Sequence, residues 1–177
     1  MMSWLTPTVN INALVDAHYD SLYRFAYRLC GSAADAEDIT QDTFCKAQQN
    51  LSQLVDVAKV RTWLFRILRN EYLQRVRSQA RKNVQTLDNL GEIPSAELKQ
   101  NLEFTSEELQ KALDELPEIY RTPVVLYFFE EFSYREISEQ LEVPIGTVMS
   151  RLSRAKCFLK NRLEGDDTQK VMPPKAD

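Results

Sequence analysis

The sequence predicts an all-α fold made of two small helical domains joined by a flexible linker. Three observations carry this. Apolar residues recur at helical spacing over long stretches, with few strand-like alternations. Only 4 glycines occur in 177 residues. Between the two periodic regions, 83–104 has one glycine, one proline, mixed charge and scattered apolar residues, which is linker composition. The expected boundaries are a first domain at 1–82, the linker at 83–104, a second domain at 105–165 and a disordered tail at 166–177.

The first nine residues show no periodicity. Ile11, Leu14, Val15, Leu22, Phe25, Ala26 and Leu29 then mark an amphipathic helix of about five turns, ended by Gly31. Ser32 is a natural N-cap for a second helix running to about Leu51, with Asp35, Glu37 and Asp38 favoured in its first turns by the helix dipole. Ala36, Ile39, Phe44 and Ala47 suit its inner face. Asp38, Gln41, Asp42 and Lys46 suit its outer face. After a loop at Ser52–Ala58, a third helix is expected from about Val60 to Arg81. Val60, Trp63, Leu64, Ile67 and Leu68 form its apolar stripe, and Arg66, Arg69, Asn70, Leu73 and Arg77 fall opposite.

In the second half, Thr105-Ser106-Glu107-Glu108 fits a capping box and opens a helix ending near Leu116. Pro117 starts another, in which Pro123 predicts a kink or an early break. Ser133, with Glu136 three positions on, caps a helix over Arg135–Leu141. Glu142-Val143-Pro144 is a turn, and Ile145 to Lys160 forms the next helix. Val148, Leu152, Ala155 and Leu159 make its stripe, while Ser150, Arg151, Ser153, Arg154 and Lys156 lie on the other face. This is the layout of a helix-turn-helix whose second helix faces a DNA major groove.

The net charge of −4 argues against a generic nucleic-acid binder, but the charge is segregated. Arg61 to Lys82 holds seven basic residues and one acid; Pro144 to Arg162 holds five basic residues and no acid. Between them, Glu92 to Glu118 holds eight acids and two lysines. Two basic patches around an acidic stretch point to two nucleic-acid contacts in one chain. Cys30, Cys45 and Cys157 form no CxxC and have no matching histidine cluster, so they read as thiols of a reducing compartment. His18 is assigned no role. There is no metal-ligand set, no phosphate-cradling glycine loop and no nucleophile–base pair, so neither catalysis nor a cofactor is expected. No signal peptide is visible and no apolar run nears the length of a membrane span, so a cytoplasmic protein without stable membrane insertion is expected.

Three segments together resemble the extracytoplasmic-function (ECF) sigma factors of bacterial RNA polymerase, a branch of the sigma-70 family. DAEDITQDTFCKA, Asp35 to Ala47, is similar to the core-binding helix of sigma domain 2. VRTWLFRILRN, Val60 to Asn70, is similar to the helix entering the −10 reading segment. YREISEQLEVPIGTVMSRLSRAK resembles the −35 reading helix-turn-helix of domain 4. Their order and spacing agree over about Ile11 to Leu163.

The resemblance implies an alternative sigma factor that binds core polymerase and directs promoter-specific initiation, without being an enzyme. It implies that Asp38, Gln41, Asp42 and Phe44 meet the clamp helices of the largest polymerase subunit, and that the second domain meets the flap of the second-largest subunit. Arg66, Arg69, Asn70, Gln74 and Arg77 would contact the −10 element of promoter DNA. Thr147, Ser150, Arg151 and Arg154 would face the −35 element, with Arg135 and Lys156 near phosphates. An anti-sigma factor is the implied inhibitor. The Ser52–Ala58 loop is the expected place for a −10 base pocket, although it lacks the Gly and aromatic often found there. Met149 stands where the family usually has Lys or Arg. Two other readings fit parts of the pattern: a polymerase-independent helix-turn-helix regulator, which would need a dimer interface and a sensor, and a sigma-mimic that binds an anti-sigma factor, which would be expected to lose its basic DNA faces.

Overall fold

The computed structural model describes residues 10–82 and 105–164. The predicted linker, the first nine residues and the tail lie outside them. Seven α-helices are described: α1 Ile11–Cys30, α2 Ala33–Gln49, α3 Val60–Lys82, α4 Ser106–Glu115, α5 Glu118–Phe128, α6 Tyr134–Leu141 and α7 Ile145–Leu163.

The caps are those the sequence predicts. Gly31 ends α1 in the left-handed region at φ 69°, with its N–H on the Tyr27 carbonyl. Ser32 caps α2 by accepting from the Asp35 N–H. Thr105 with Glu108, and Ser133 with Glu136, form complete capping boxes at α4 and α6. Each box satisfies two amides that have no partner inside the helix. Pro117 and Pro144 precede α5 and α7.

Two details differ from the sequence reading. Pro123 is buried inside α5, and the helix runs through it to Phe128 without the expected break. Tyr120, Val124, Val125 and Leu126 are buried around it, so packing holds the helix where one missing amide would weaken it. Phe65 and Tyr72, absent from the predicted stripe of α3, are buried beside Leu64 and Leu68. The reason is that α3 is covered on two sides. One side packs on α1 and α2. Over the other lies Phe132 of the second half, so the Phe65 ring sits between Phe25 of α1 and Phe132, with centroids 5.0 and 5.1 Å away.

The two helical domains thus share one apolar cluster, running from Leu14 of α1 to Ala155 of α7. Polar bonds bind the same seam. Gln110 of α4 donates to the Asp114 carboxylate and reaches the Tyr27 and Arg28 carbonyls at the end of α1. Arg121 of α5 donates to the Leu29 carbonyl. Gln140 of α6 donates to the Thr62 carbonyl of α3 at 2.7 Å.

Candidate nucleic-acid and partner interface

Along α3, Arg66, Arg69, Asn70, Gln74 and Arg77 line a single cleft of about 310 Å³ together with Leu73. Its opposite wall is Gln140, Leu141 and Glu142, where α6 turns towards α7. All five residues expected at the −10 element therefore face one space. Helical spacing explains this: 66, 69–70, 73–74 and 77 follow one stripe of the helix. Arg66, Asn70, Gln74 and Arg77 are exposed, while Arg69 is half-buried. Burial holds the Arg69 guanidinium below its ordinary pKa; the Glu118 and Glu142 charges oppose the shift, and Arg151 and Arg77 add to it more weakly.

The turn of the helix-turn-helix is built by Glu142, a left-handed residue at φ 55°. Glutamate in that region carries backbone strain that a glycine would avoid. Ser138 steadies the turn, accepting at its carbonyl from the Val143 N–H and donating through its hydroxyl to the Val143 carbonyl at 2.6 Å. On α7, Ser150 and Arg154 are exposed, and Thr147, Arg151 and Lys156 are half-buried. Ser150 donates to the Thr147 carbonyl. Arg135 extends from α6 and pairs with Glu139 one turn on. Gly146 has open space where a side chain would begin, so its smallness leaves the start of α7 bare. Met149 is exposed on the same helix.

Of the residues expected at the polymerase, Asp38, Gln41 and Asp42 are exposed on one face of α2. Gln41 contacts Glu37, while Arg75 of α3 pairs with Asp42 at 2.6 Å and Asp38 at 3.8 Å. Phe44 lies elsewhere. It is buried and stacks on Tyr19 of α1, with ring centroids 6.3 Å apart, so here it supports α2 from behind and presents no surface. Lys46 pairs with the buried Glu71 of α3. Trp63 is half-buried against the core. The Ser52–Ala58 loop folds around two short 3-10 turns, Leu51–Gln53 and Val57–Lys59, with Val55 almost wholly exposed between them.

Sequence reasoning passed over three positions here. Arg75 fixes the orientation of two acids on α2. Gln140 and Glu142 form the far wall of the cleft. Nothing in their local spacing marks them, because each acts on a residue far away in the chain. Among the described residues, no group of three or more acids, histidines or cysteines is placed to hold a metal, and no helix is long and apolar enough to cross a membrane.

The likeness to known proteins follows the same division. Residues 14–82 match the family profile of sigma-70 region 2, and residues 106–159 that of sigma-70 region 4. The chain is 39% identical over 155 residues to the ECF RNA polymerase sigma factor SigE of Mycolicibacterium smegmatis, covering 85% of this chain and 60% of that protein's length. It is 33% identical over 164 residues to the ECF RNA polymerase sigma factor SigW of Bacillus subtilis, covering 85% of this chain and 87% of that one. The sigma factor RpoE of Bartonella quintana, solved in complex with the anti-sigma factor NepR, superposes with a TM-score of 0.72 at 28% identity, covering 88% of this chain and 97% of that one. With both regions matched in order and such relatives spanning most of its length, the chain belongs to the ECF sigma factors of the sigma-70 family.

Proposed function

We propose that the chain is an alternative sigma factor: it binds core RNA polymerase and directs it to promoters by reading the −10 and −35 elements. The observation that carries this reading is the single cleft on α3. It gathers three arginines, which neutralise phosphates, with Asn70 and Gln74, whose amides read base edges. The exposed Ser150 and Arg154 on α7 supply a second reading face at the −35 element, joined by Thr147, Arg151, Arg135 and Lys156. The Asp38–Gln41–Asp42 face of α2, held by Arg75, is the surface for the clamp helices of the largest subunit. The second domain meets the flap of the second-largest subunit.

Each reading face is small and binds DNA weakly alone. Polymerase holds both at a fixed separation, and effective concentration makes the pair selective. The domains are 1–82 for core binding and −10 reading and 105–165 for −35 reading, with 83–104 between them. The protein acts in the cytoplasm, has no catalytic role and needs no cofactor. An anti-sigma factor is its natural inhibitor, as in the RpoE–NepR complex. In vitro transcription with purified core polymerase on a promoter library tests the reading. Polymerase-dependent initiation at a defined promoter set is expected, and no initiation at any promoter would overturn it. Tight binding of a specific duplex by the free protein would favour an autonomous regulator instead.

A further inference from the structure

Among the described residues, three buried side-chain polar atoms have no hydrogen-bond partner: Arg69 Nε, Gln140 Oε1 and Arg151 Nε. Two of them bear on one place: Gln140 and Arg69 line the cleft from its two walls. A buried polar atom without a partner is costly, and native structures hold few of them.

The charges in the cleft are also poorly matched. Among the described residues, Arg69 has one ion-pair partner, Glu118, at a loose 3.9 Å. Arg66 donates, among the described residues, only to the Glu139 main-chain carbonyl, at 3.1 Å. Among the described residues, Arg77 forms no ion pair with a carboxylate. Glu142 is the one acid among the described residues that lines the cleft. Three guanidinium groups of α3 thus face one cleft that one carboxylate lines among the described residues.

We propose that this cleft binds a free nucleoside oligophosphate, whose phosphates engage the arginines that line it along α3, Arg66, Arg69 and Arg77. Extent favours this over a single small anion. Arg66 and Arg77 are about 16 Å apart along the helix axis, which one phosphate cannot span. Asn70 and Gln74 lie between them and offer amide donors and acceptors to a base or sugar. Gln140 is 2% exposed and its Oε1 accepts no hydrogen bond while its amide N–H stays on the Thr62 carbonyl, so the far wall offers a ligand hydroxyl or amine an unpartnered acceptor. A bound ligand would hold the packed arrangement and occupy Asn70 and the cleft arginines, competing with promoter DNA. That consequence rests on the −10 reading; the binding itself does not.

Calorimetric titration of the full chain with ATP and with tripolyphosphate, at constant ionic strength, tests it. One saturable site is expected, with amide exchange slowed in both α3 and α6. Arg66→Gln and Arg77→Gln should each weaken binding about tenfold, the loss of one charge-assisted contact. Glu142→Gln should tighten it, and Lys111→Gln on α4 should leave it unchanged. Arg77 and Glu142 are exposed, so those variants keep the fold. Absence of a saturable site, or affinity indifferent to Arg66→Gln, Arg77→Gln and Glu142→Gln, overturns the proposal. So does a site that takes single-stranded DNA but neither ATP nor tripolyphosphate. Binding that holds while polymerase-dependent initiation fails counts against the promoter reading alone.

Discussion

Arg61 of α3 lies over the ring of Phe132, its guanidinium carbon 4.4 Å from the centroid, and donates to the main-chain carbonyl of Glu130 at 2.5 Å. The same guanidinium is 5.0 Å from the Phe65 centroid and 3.4 Å from the Glu130 carboxylate. One side chain from the first domain thus engages a buried acid and an aromatic ring of the second. A cation over an aromatic face and a charged hydrogen bond together contribute about 2–3 kcal/mol. Arg61→Ala should lower stability to urea by about that amount, since it also leaves Glu130 buried without its counter-charge. Adding Glu130→Gln should recover part of the loss. A change below about 0.5 kcal/mol in Arg61→Ala would show that this joint contributes little.

The pH dependence of stability should carry two opposed slopes from this joint. Burial raises the Glu130 carboxyl above its ordinary 4.5, with Arg61 and Arg24 working the other way. The folded state then holds a proton that the unfolded state has released, so stability falls as pH rises from 4.5 through the raised value. His18 is shifted oppositely: burial, then the Arg61 charge, lowers it from 6.5. The unfolded state binds the extra proton there, so stability rises as pH climbs from the lowered value to 6.5. Glu130→Gln should abolish the first slope and His18→Gln the second, read from denaturation midpoints between pH 4 and 7. If both variants keep the parent curve, neither group is coupled to folding.

Most of the helices were legible because their ends are written locally. Gly31, Ser32, Thr105, Ser133 and the two prolines before α5 and α7 each act within a turn of themselves. The α3 cleft was legible for the same reason, since its residues share one stripe of one helix. The seam was not. Phe65 appears on no apolar stripe because it meets a second wall that arrives from 67 residues later, at Phe132. Phe44 looks like an aromatic anchor in its local motif, and only Tyr19 on another helix shows what it packs against. Glu142 carries a positive φ with no glycine to announce it.

The capping box at the start of the helix-turn-helix gives a third prediction. The Ser133 hydroxyl, and then its main-chain N–H, bond to Glu136 and hold that carboxyl below 4.5. A lowered carboxylate adds stability that is present above 4.5 and lost as pH falls through the folded value. Ser133→Ala should cost about 1 kcal/mol at neutral pH, the usual worth of an N-cap. It should also reduce the acid loss of stability below pH 4.5. An unchanged acid limb in the variant would mean that the hydroxyl does not hold the Glu136 proton equilibrium.

Gly31 joins the two domains where α1 ends. Its φ of 69° already disfavours any side chain, by about 1–2 kcal/mol. A Cβ there would lie 2.8 Å from an Asp114 carboxylate oxygen of α4. Asp114 cannot move without cost, because it accepts from Gln110 at 2.9 Å, and Gln110 in turn reaches the carbonyls at the end of α1. Gly31→Ala should therefore destabilise by about 2–3 kcal/mol, more than backbone strain alone. In an Asp114→Ala background the same substitution should cost only the strain. Equal costs in both backgrounds would place the whole effect in the backbone.

The two reading faces should separate by element. Asn70 is exposed in the α3 cleft among arginines, so its amide is the group there best suited to a base edge. Arg154 is exposed on α7 and does not line that cleft. With core polymerase and a promoter library randomised at both elements, Asn70→Ala should relax selection at the −10 element and leave the −35 preference intact. Arg154→Ala should do the reverse. A base contact is worth about 1–3 kcal/mol of discrimination, so each change should be at least about fivefold at the affected position. Arg77→Ala, by contrast, should weaken initiation across all sequences and flatten its salt dependence, as loss of a phosphate contact does. Selection unchanged in both Asn70→Ala and Arg154→Ala would remove these assignments while leaving the family membership untouched.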